Sequence, residues 1–374
     1  MTSYGHNLHL SIYGGSHDPE IGVRLSGLPA GESIIRDELS TFMKRRAPGQ
    51  NAYSTTRKEA DEPVFLSGLS SDFVTNGEEI HAVIYNSNQR SGDYQNLLDI
   101  PRPSHADFAA RMKYGDKVDL RGGGHFSGRL TAPLCIAGGI CKQILRRRGI
   151  HIAAHILSIA DVKDDAFSLV ALSQQDFAKL DQKAFPTLSD EAGMQMRERI
   201  EEARLSADSV GGIVECAAIG MPAGVGEHMF SGVEGRISGI VFGIPAVKAI
   251  AFGNGFDCTS LRGSENNDPF YVDVRGNIRT KTNNAGGILG GMTSGMPIVF
   301  TAAVKPTPSI GKEQESISLS ERKNIRFTVS GRHDPCIVPR AVPVFEAAMA
   351  IALTDLLLDE NILATLPLID EDHP

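Results

Sequence analysis

The sequence predicts an α+β chain in which long apolar helices alternate with short strands. Three observations predict it. Two apolar stretches, about 130–148 and about 341–359, have helical character, the second with Val344, Ala347, Ala348, Ile351 and Leu356 near helical spacing. Short apolar runs at 23–28, 79–85, 151–160, 213–219 and 297–304 read as strands. The 39 glycines are clustered, and three of the clusters lie just before an apolar element or between two of them.

Composition narrows the class. A chain of 374 residues with 41% hydrophobic and 22% charged residues is an ordinary globular protein with a large core. We read it as one domain over 1–374, with a tail from about 361 loosely ordered. A formal net charge of -8 gives no overall attraction to nucleic acid or to an anionic membrane, so neither is expected as a partner. The five cysteines contain no C-x-x-C pair, so neither a zinc site nor a disulfide framework is indicated. Free thiols suit a reducing cytosol. No signal-peptide pattern and no membrane-length apolar run is read, and a cytoplasmic protein is expected.

In chain order, Gly14-Gly15-Ser16-His17-Asp18-Pro19 interrupts the first apolar runs. A helix is expected over 36–46, with Leu39, Phe42 and Met43 on one face and Lys44, Arg45 and Arg46 in its last turn, where cations suit the helix dipole. Residues 51–62 are polar and expected to be mobile. A short helix is expected over about 105–113, capped by Ser104. Gly122-Gly123-Gly124-His125-Phe126-Ser127-Gly128-Arg129 then opens onto the first long helix. Such a turn favours an anion through its backbone N–H groups and the helix dipole, although glycine turns also serve close packing.

Residues 162–209 are polar and read as an exposed excursion, with a charged helix over about 190–205. Lys305-Pro306-Thr307-Pro308-Ser309 sets a cation and two hydroxyls on a proline-stiffened loop. Gly331-Arg332-His333-Asp334-Pro335-Cys336 and Pro339-Arg340 place a carboxylate, an imidazole and two guanidinium groups on another, before the last long helix. The recurring glycine-rich segments suggest an internal pseudo-repeat, but no residue-level repeat is evident.

Ten collinear motifs between about residues 5 and 360 carry a resemblance. They are Gly15-Ser16-His17, Arg45-Arg46 before Pro48-Gly49, Ser54-Thr55-Thr56-Arg57-Lys58-Glu59, Arg102-Pro103 with His105-Ala106-Asp107, and Lys113-Tyr114-Gly115. They continue with Asp208-Ser209-Val210-Gly211-Gly212, Pro245-Ala246-Val247-Lys248, Asn284 to Gly291, Lys305-Pro306-Thr307, and Gly331 to Cys336. On these residues the chain resembles the chorismate synthase family.

The resemblance implies a helical core sandwiched between antiparallel β-sheets, in a homotetramer. It implies an anti 1,4-elimination of phosphate from 5-enolpyruvylshikimate 3-phosphate to give chorismate, in the shikimate pathway of aromatic amino acid biosynthesis. The reaction requires reduced FMN without net redox change. His17 matches the acid for the leaving phosphate, His105 the histidine that governs flavin protonation, and Asp334 the final proton acceptor. Flavin contacts fall on positions matching His125, Phe126, Ser127, Pro245, Ala246, Gly290, Lys305, Pro306, Thr307, Pro308, Ser309 and Arg332. Arg46, Arg129 and Arg340 are candidates for the substrate's phosphate and carboxylates. No metal is implied. No Rossmann fingerprint is present, so reduced FMN is expected from an external flavin reductant, with NADPH only as an indirect reductant.

The chain departs from the family pattern at Asp18, Ser104, His125 and Phe126, and at Ala47 and Ala52. Asp18 and Ser104 replace glycines, and His125 replaces an arginine. The expectation is an active but divergent synthase. A paralogue that binds flavin and a phosphorylated ligand without completing the elimination, and a non-catalytic oligomeric scaffold, are the rivals. Retention of His17, His105 and Asp334 argues against the scaffold.

Overall fold

A computed structural model describes residues 2–49, 61–86, 99–329, 334–359 and 361–369. Strands β1 (Thr2–Tyr4), β2 (His9–Gly14) and β3 (Glu20–Ser26) precede helix α1 (Arg36–Arg46) and strands β4 (Val64–Ser67) and β5 (Ile80–Tyr85). Together they form an antiparallel sheet in the order β1-β2-β3-β5-β4. Helices α2 (Asp107–Tyr114) and α3 (Thr131–Arg146) follow. Strands β6 (His151–Ile159) and β7 (Val162–Lys163) lead into helices α4 (Gln174–Asp181) and α5 (Asp190–Leu205). Next come strand β8 (Gly212–Ile219), helix α6 (Val233–Val241), strand β9 (Val247–Phe252) and helix α7 (Gly263–Asn266). Two hairpins, β10 (Phe270–Val272) with β11 (Ile278–Thr280) and β12 (Ile288–Leu289) with β13 (Met292–Thr293), precede β14 (Ile298–Val304). The hairpin β15 (Gln314–Ser318) with β16 (Lys323–Phe327), then helices α8 (Val338–Leu358) and α9 (Ile362–Thr365), complete the chain. The second sheet is also antiparallel, in the order β7-β6-β8-β14-β9.

Helix α3 packs on β3 and β5 of the first sheet, α8 packs on β6 and β8 of the second, and the two helices pack on each other. The result is the expected helical core between two antiparallel sheets. Helices α3 and α8 run in the same direction: Cys135 Sγ lies 3.9 Å from the Pro343 carbonyl, and further along Cys141 meets Thr354. Midway, a Cβ on Gly138 would stand 2.2 Å from that of Ala347, so only glycine lets the helices approach this closely. By length and composition α8 could span a bilayer, contrary to the sequence reading. It is instead a core helix, with 94% of its most apolar window buried.

The pseudo-repeat is visible in the topology. Set aside the edge strands β1 and β7, the inserted helices α2, α4, α5 and α7 and the hairpins β10–β13 and β15–β16, and each half reads strand, strand, helix, strand, strand, helix. The elements are β2-β3-α1-β4-β5-α3 and β6-β8-α6-β9-β14-α8, and each sheet pairs its four strands in the order first, second, fourth, third. A residue-level trace survives in the turns. Gly27-Leu28-Pro29-Ala30-Gly31 follows β3, and Gly220-Met221-Pro222-Ala223-Gly224 follows β8. All four end glycines are left-handed, with φ of 97°, 94°, 87° and 89°.

The same threonine latch closes both turns. Thr75 Oγ1 donates to the Pro29 carbonyl at 2.7 Å and accepts from the Glu32 N–H at 2.9 Å, while Gly31 N–H donates to the Thr75 carbonyl at 2.8 Å. Thr293 makes the same three bonds with Pro222, Val225 and Gly224, at 2.5, 2.9 and 2.8 Å.

Four sequence expectations are corrected here. The segment 162–209 is not merely exposed: Phe167, Phe177 and Leu180 cover one face of the second sheet, and Met196 and Ile200 of α5 join the main core. The chain beyond 361 is docked as far as residue 369, with Leu363 1% exposed and the Ile369 N–H bonded to the Arg147 carbonyl. Ser104 does not cap α2, whose N-cap is Ala106. Finally, the basic end of α1 does more than complement its dipole. Arg45 forks onto Glu346 of α8 at 2.9 and 2.6 Å, and Lys142 joins the same fully buried carboxylate. Burial opposes that charge, but Arg45 and Lys142 overcome it and hold the Glu346 pKa below the usual carboxylate value.

Candidate active site

The N-termini of α3 and α8 mark one end of the core, and the connections of both halves converge there. From the first half come the β2–β3, α1–β4 and β5–α3 connections; from the second come their counterparts β6–β8, α6–β9 and β14–α8. Nearly all predicted site residues lie on these connections or on the helix ends they join. Arg332 lies outside the described residues. Gly290 is the exception. It sits at the tip of the β12–β13 hairpin, before β14, whereas Lys305 follows β14. Seven strand residues separate the two ends, about 20 Å, so within one chain Gly290 is not part of this site.

The triple glycine is the floor. Gly122, Gly123 and Gly124 have φ of 59°, 100° and 54°, a run that side-chain-bearing residues do not sustain. A Cβ on Gly122 would stand 2.4 Å from His17 Cε1, and one on Gly123 would stand 3.5 Å from His105 Nε2. Consecutive glycines therefore receive the two predicted histidines, one each. His17 is 9% exposed, and Ser16 Oγ lies 3.2 Å from its Nδ1 while donating to the Arg121 carbonyl.

His105 is held from behind. Its Nδ1 lies 2.6 Å from Asp107 Oδ1, and Arg102 grips the same carboxylate through Nε at 2.7 Å and Nη2 at 2.8 Å. Burial alone would raise the Asp107 pKa, but hydrogen bonds and charge from Arg102 and His105 hold it well below the usual range. Arg102 Nη1 also donates to Ser309 Oγ at 3.1 Å, tying the first half to the Lys305–Ser309 loop. Lys305 Nζ donates to the Ser104 carbonyl. Burial, with Lys248 nearby, lowers the Lys305 pKa.

The same loop reaches the last motif. Thr307 Oγ1 donates to the Asp334 carbonyl at 2.8 Å, Ser209 Oγ donates to the Thr307 carbonyl at 2.7 Å, and Lys305 N–H bonds the Ala246 carbonyl at 3.0 Å. That last bond brings Pro245 and Ala246 alongside the lysine. Asp334 Oδ2 accepts from Arg340 Nη1 at 2.8 Å, with both side chains about one-fifth exposed. Burial pushes the neighbouring Cys336 thiol up to about 12, which keeps it protonated and inert.

Arg46 and Arg129 are drawn into the wall. Both bond the buried carboxylate of Asp61, Arg46 Nη1 at 2.6 Å. Arg46 also donates to Thr131 Oγ1 and to the Gly128 carbonyl and is 1% exposed, so its guanidinium is committed to protein groups. Sequence reasoning missed Asp61, which lies in no quoted motif. It also treated Arg102 and Asp107 as motif letters without a role. His125 is exposed, its ring tilted by 37° against that of Phe126 with centroids 4.2 Å apart, and Tyr114 lies edge-on at 5.6 Å.

This geometry can be set beside known proteins. The family model described as chorismate synthase matches residues 8–358. The chain belongs to the chorismate synthase family. The chorismate synthase of Lancefieldella parvula is 46% identical over 368 residues, covering 96% of each chain. That of Pyrococcus abyssi is 43% identical over 356 residues, covering 95% of this chain and 97% of the other. A crystal structure of chorismate synthase superposes with a TM-score of 0.75 at 27% identity, covering 95% of this chain and 93% of that one. The chain is thus an enzyme of the carbon–oxygen lyase class.

Two departures from the chorismate synthase pattern now have physical readings. Asp18 adds a negative charge beside the site, and the nearby Arg121 is stabilised as a cation by Asp119 and also by Asp18. Ser104 stands where the family pattern has glycine, and its φ is 59°. Such a backbone costs a side-chain-bearing residue about 1 kcal/mol or more. Ser104→Gly is therefore expected to raise unfolding free energy by about 1 kcal/mol in denaturant titration. A loss of stability instead would show that the serine side chain makes a compensating contact.

Proposed function

We propose that this chain eliminates phosphate from 5-enolpyruvylshikimate 3-phosphate to give chorismate, with reduced FMN bound at the convergent end of the two halves. The observation that carries this reading is the meeting of His17 and His105 on adjacent glycines, with Asp334 linked to them through Thr307, Ser309 and Arg102. An anionic ligand also fits the place. Two parallel helix N-termini point there, and an anion beside Lys305 and Lys248 would relieve the burial and repulsion that lower the lysine's pKa.

The flavin would be held by the Lys305–Ser309 loop, with Ser127, Phe126 and His125 from the glycine segment, Pro245 and Ala246, and Arg332. When bound, reduced FMN supplies transient electron density that lets the carbon–oxygen bond break without net oxidation. His17 gives a proton toward the departing phosphate. Asp334, oriented by Arg340, is the final acceptor for the proton lost from the substrate. Each such acid–base role is worth roughly 10²–10⁴-fold. Arg340 is the guanidinium best placed to meet a substrate anion, with Arg129 at the entrance to α3 and Arg46 bracing it through Asp61.

A homotetramer would account for two further features. Phe256, Phe270, Val272, Val274 and Ile278 are each at least 64% exposed, a cost that burial against another copy would remove. Gly290, remote from the site of its own chain, would reach a flavin only in a neighbouring copy. A separate flavin reductant is expected to supply reduced FMN.

The test is an anaerobic assay with the phosphorylated substrate and chemically reduced FMN. Chorismate and phosphate should form in equal amounts. Flavin binding without phosphate release would overturn the synthase reading in favour of the divergent paralogue.

A further inference from the structure

We propose that Asn86 is a positioning residue for the elimination: its side-chain amide holds the His17 loop and the Arg129 guanidinium in a fixed relation. Its effect on turnover rests on the synthase reading; its placement of the two groups does not. Asn86 lies in none of the ten sequence motifs and directly follows β5. Its backbone N–H donates to the Pro19 carbonyl at 2.9 Å. Its Nδ2 donates to the Asp18 carbonyl at 2.8 Å and to the Gly15 carbonyl at 3.3 Å. Three bonds thus span the loop that carries His17. From the other side of the same amide, Oδ1 accepts from Arg129 Nε at 3.1 Å. These partners fix which way the amide points. The reverse orientation would set its oxygen against two carbonyl oxygens and its NH₂ against a guanidinium N–H, turning each attraction into a repulsion.

The amide joins two supports that are otherwise separate. The His17 loop is tied to the glycine floor, where the Ser16 N–H donates to the Gly124 carbonyl at 3.1 Å and Ser16 Oγ donates to the Arg121 carbonyl. Asn86 ties the same loop to the end of β5. Arg129 bonds Asp61 through Nη1 and Asn86 through Nε, so its planar guanidinium is oriented at two points. On the synthase reading both groups serve one event. His17 gives a proton toward the departing phosphate, and Arg129 is a candidate for the charge of that phosphate. An acid and a cation acting on one leaving group need a fixed separation, and an amide with its oxygen and nitrogen on one carbon supplies it.

The test compares the wild type with two variants. Asn86→Ala removes every side-chain bond of the amide. Asn86→Asp keeps an acceptor for Arg129 but turns an oxygen toward the two loop carbonyls. In anaerobic assays with chemically reduced FMN, Asn86→Ala should lower kcat roughly 10–100-fold, the cost of a small misplacement of reacting groups. It should also raise KM for the phosphorylated substrate roughly 3–10-fold, about the worth of one hydrogen bond. Asn86→Asp should show the loss in kcat too, because its hold on the loop is gone. FMN affinity of Asn86→Ala should change less than about threefold, since its described bonds go to Gly15, Asp18, Pro19 and Arg129 and not to the residues expected to hold flavin. A folded Asn86→Ala with the wild-type kcat and KM would overturn the proposal, whatever its stability. Where alanine does not fold, a folded Asn86→Asp with the wild-type kcat would do the same. Crystal structures of the wild type and a folded variant give a reading that does not depend on turnover. In Asn86→Ala, residues 15–19 and the Arg129 side chain should both shift while 122–124 stay in place, and no shift in either would overturn the placement. A wild type that releases no phosphate would sink the synthase reading, and the crystal structures would still decide whether Asn86 sets the two groups.

Discussion

Asp61→Asn is expected to lower the unfolding free energy by roughly 3–5 kcal/mol at neutral pH, the usual result of removing one member of a buried ion-pair network. Asp61 carries the charge that balances both Arg46 and Arg129, and the three side chains are 0%, 1% and 8% exposed. Asparagine keeps the shape and removes the buried charge that both guanidinium groups face. Burial opposes ionisation of Asp61, but the charges of Arg46 and Arg129 and their hydrogen bonds outweigh it, and the carboxyl pKa is lowered. The sign of the pH dependence follows. A lowered folded pKa contributes stability that is present above the unfolded value near ~3.9 and is lost as pH falls through the folded value. The difference between wild type and variant should therefore hold through neutral pH and close in strong acid. Denaturant titrations at several pH values measure it. Equal stability at pH ~7 would show that the network does not brace the entrance to α3.

Asp334→Asn should lower turnover by roughly 10²–10⁴-fold while leaving flavin bound. The side chain sits in a partly exposed ion pair with Arg340, not in the core, so the change costs little stability. The nearby loop is also preserved, because Thr307 bonds the backbone carbonyl of Asp334 and not its carboxylate. On the proposed reading, what is lost is the proton acceptor and its charge pair with Arg340. Steady-state rates beside FMN titrations separate the effects, and near-normal turnover would remove Asp334 from the chemistry.

What the sequence made legible follows from the range of each interaction. Helix α1 was expected over 36–46 and α5 over about 190–205, and both form there, because periodicity and caps act within a few residues. The glycine floor was legible for the same reason: three successive glycines declare an unusual backbone. Asp61 was not, because its partners lie 15 and 68 residues away and no local pattern records them.

Ser104 looked like a helix cap, since serine prefers that place, but the left-handed turn it must make overrode the preference. The suspected repeat found no residue-level support in the sequence because what the two halves share is mainly turn geometry. Only Gly-x-Pro-Ala-Gly and a latching threonine survive in both halves, and the matching bonds mean nothing until both turns are seen. Gly290 was grouped with the site because a motif says which residues matter and not which end of a strand they occupy.

Hydrogen exchange of the backbone amides, with and without FMN and the phosphorylated substrate, tests most directly the claim that one site is built from equivalent connections of both halves. Ligand should slow exchange together in 122–127 of the first half and in 305–309, with the start of α8, in the second. Protection confined to the connections of one half while flavin is bound would contradict the account.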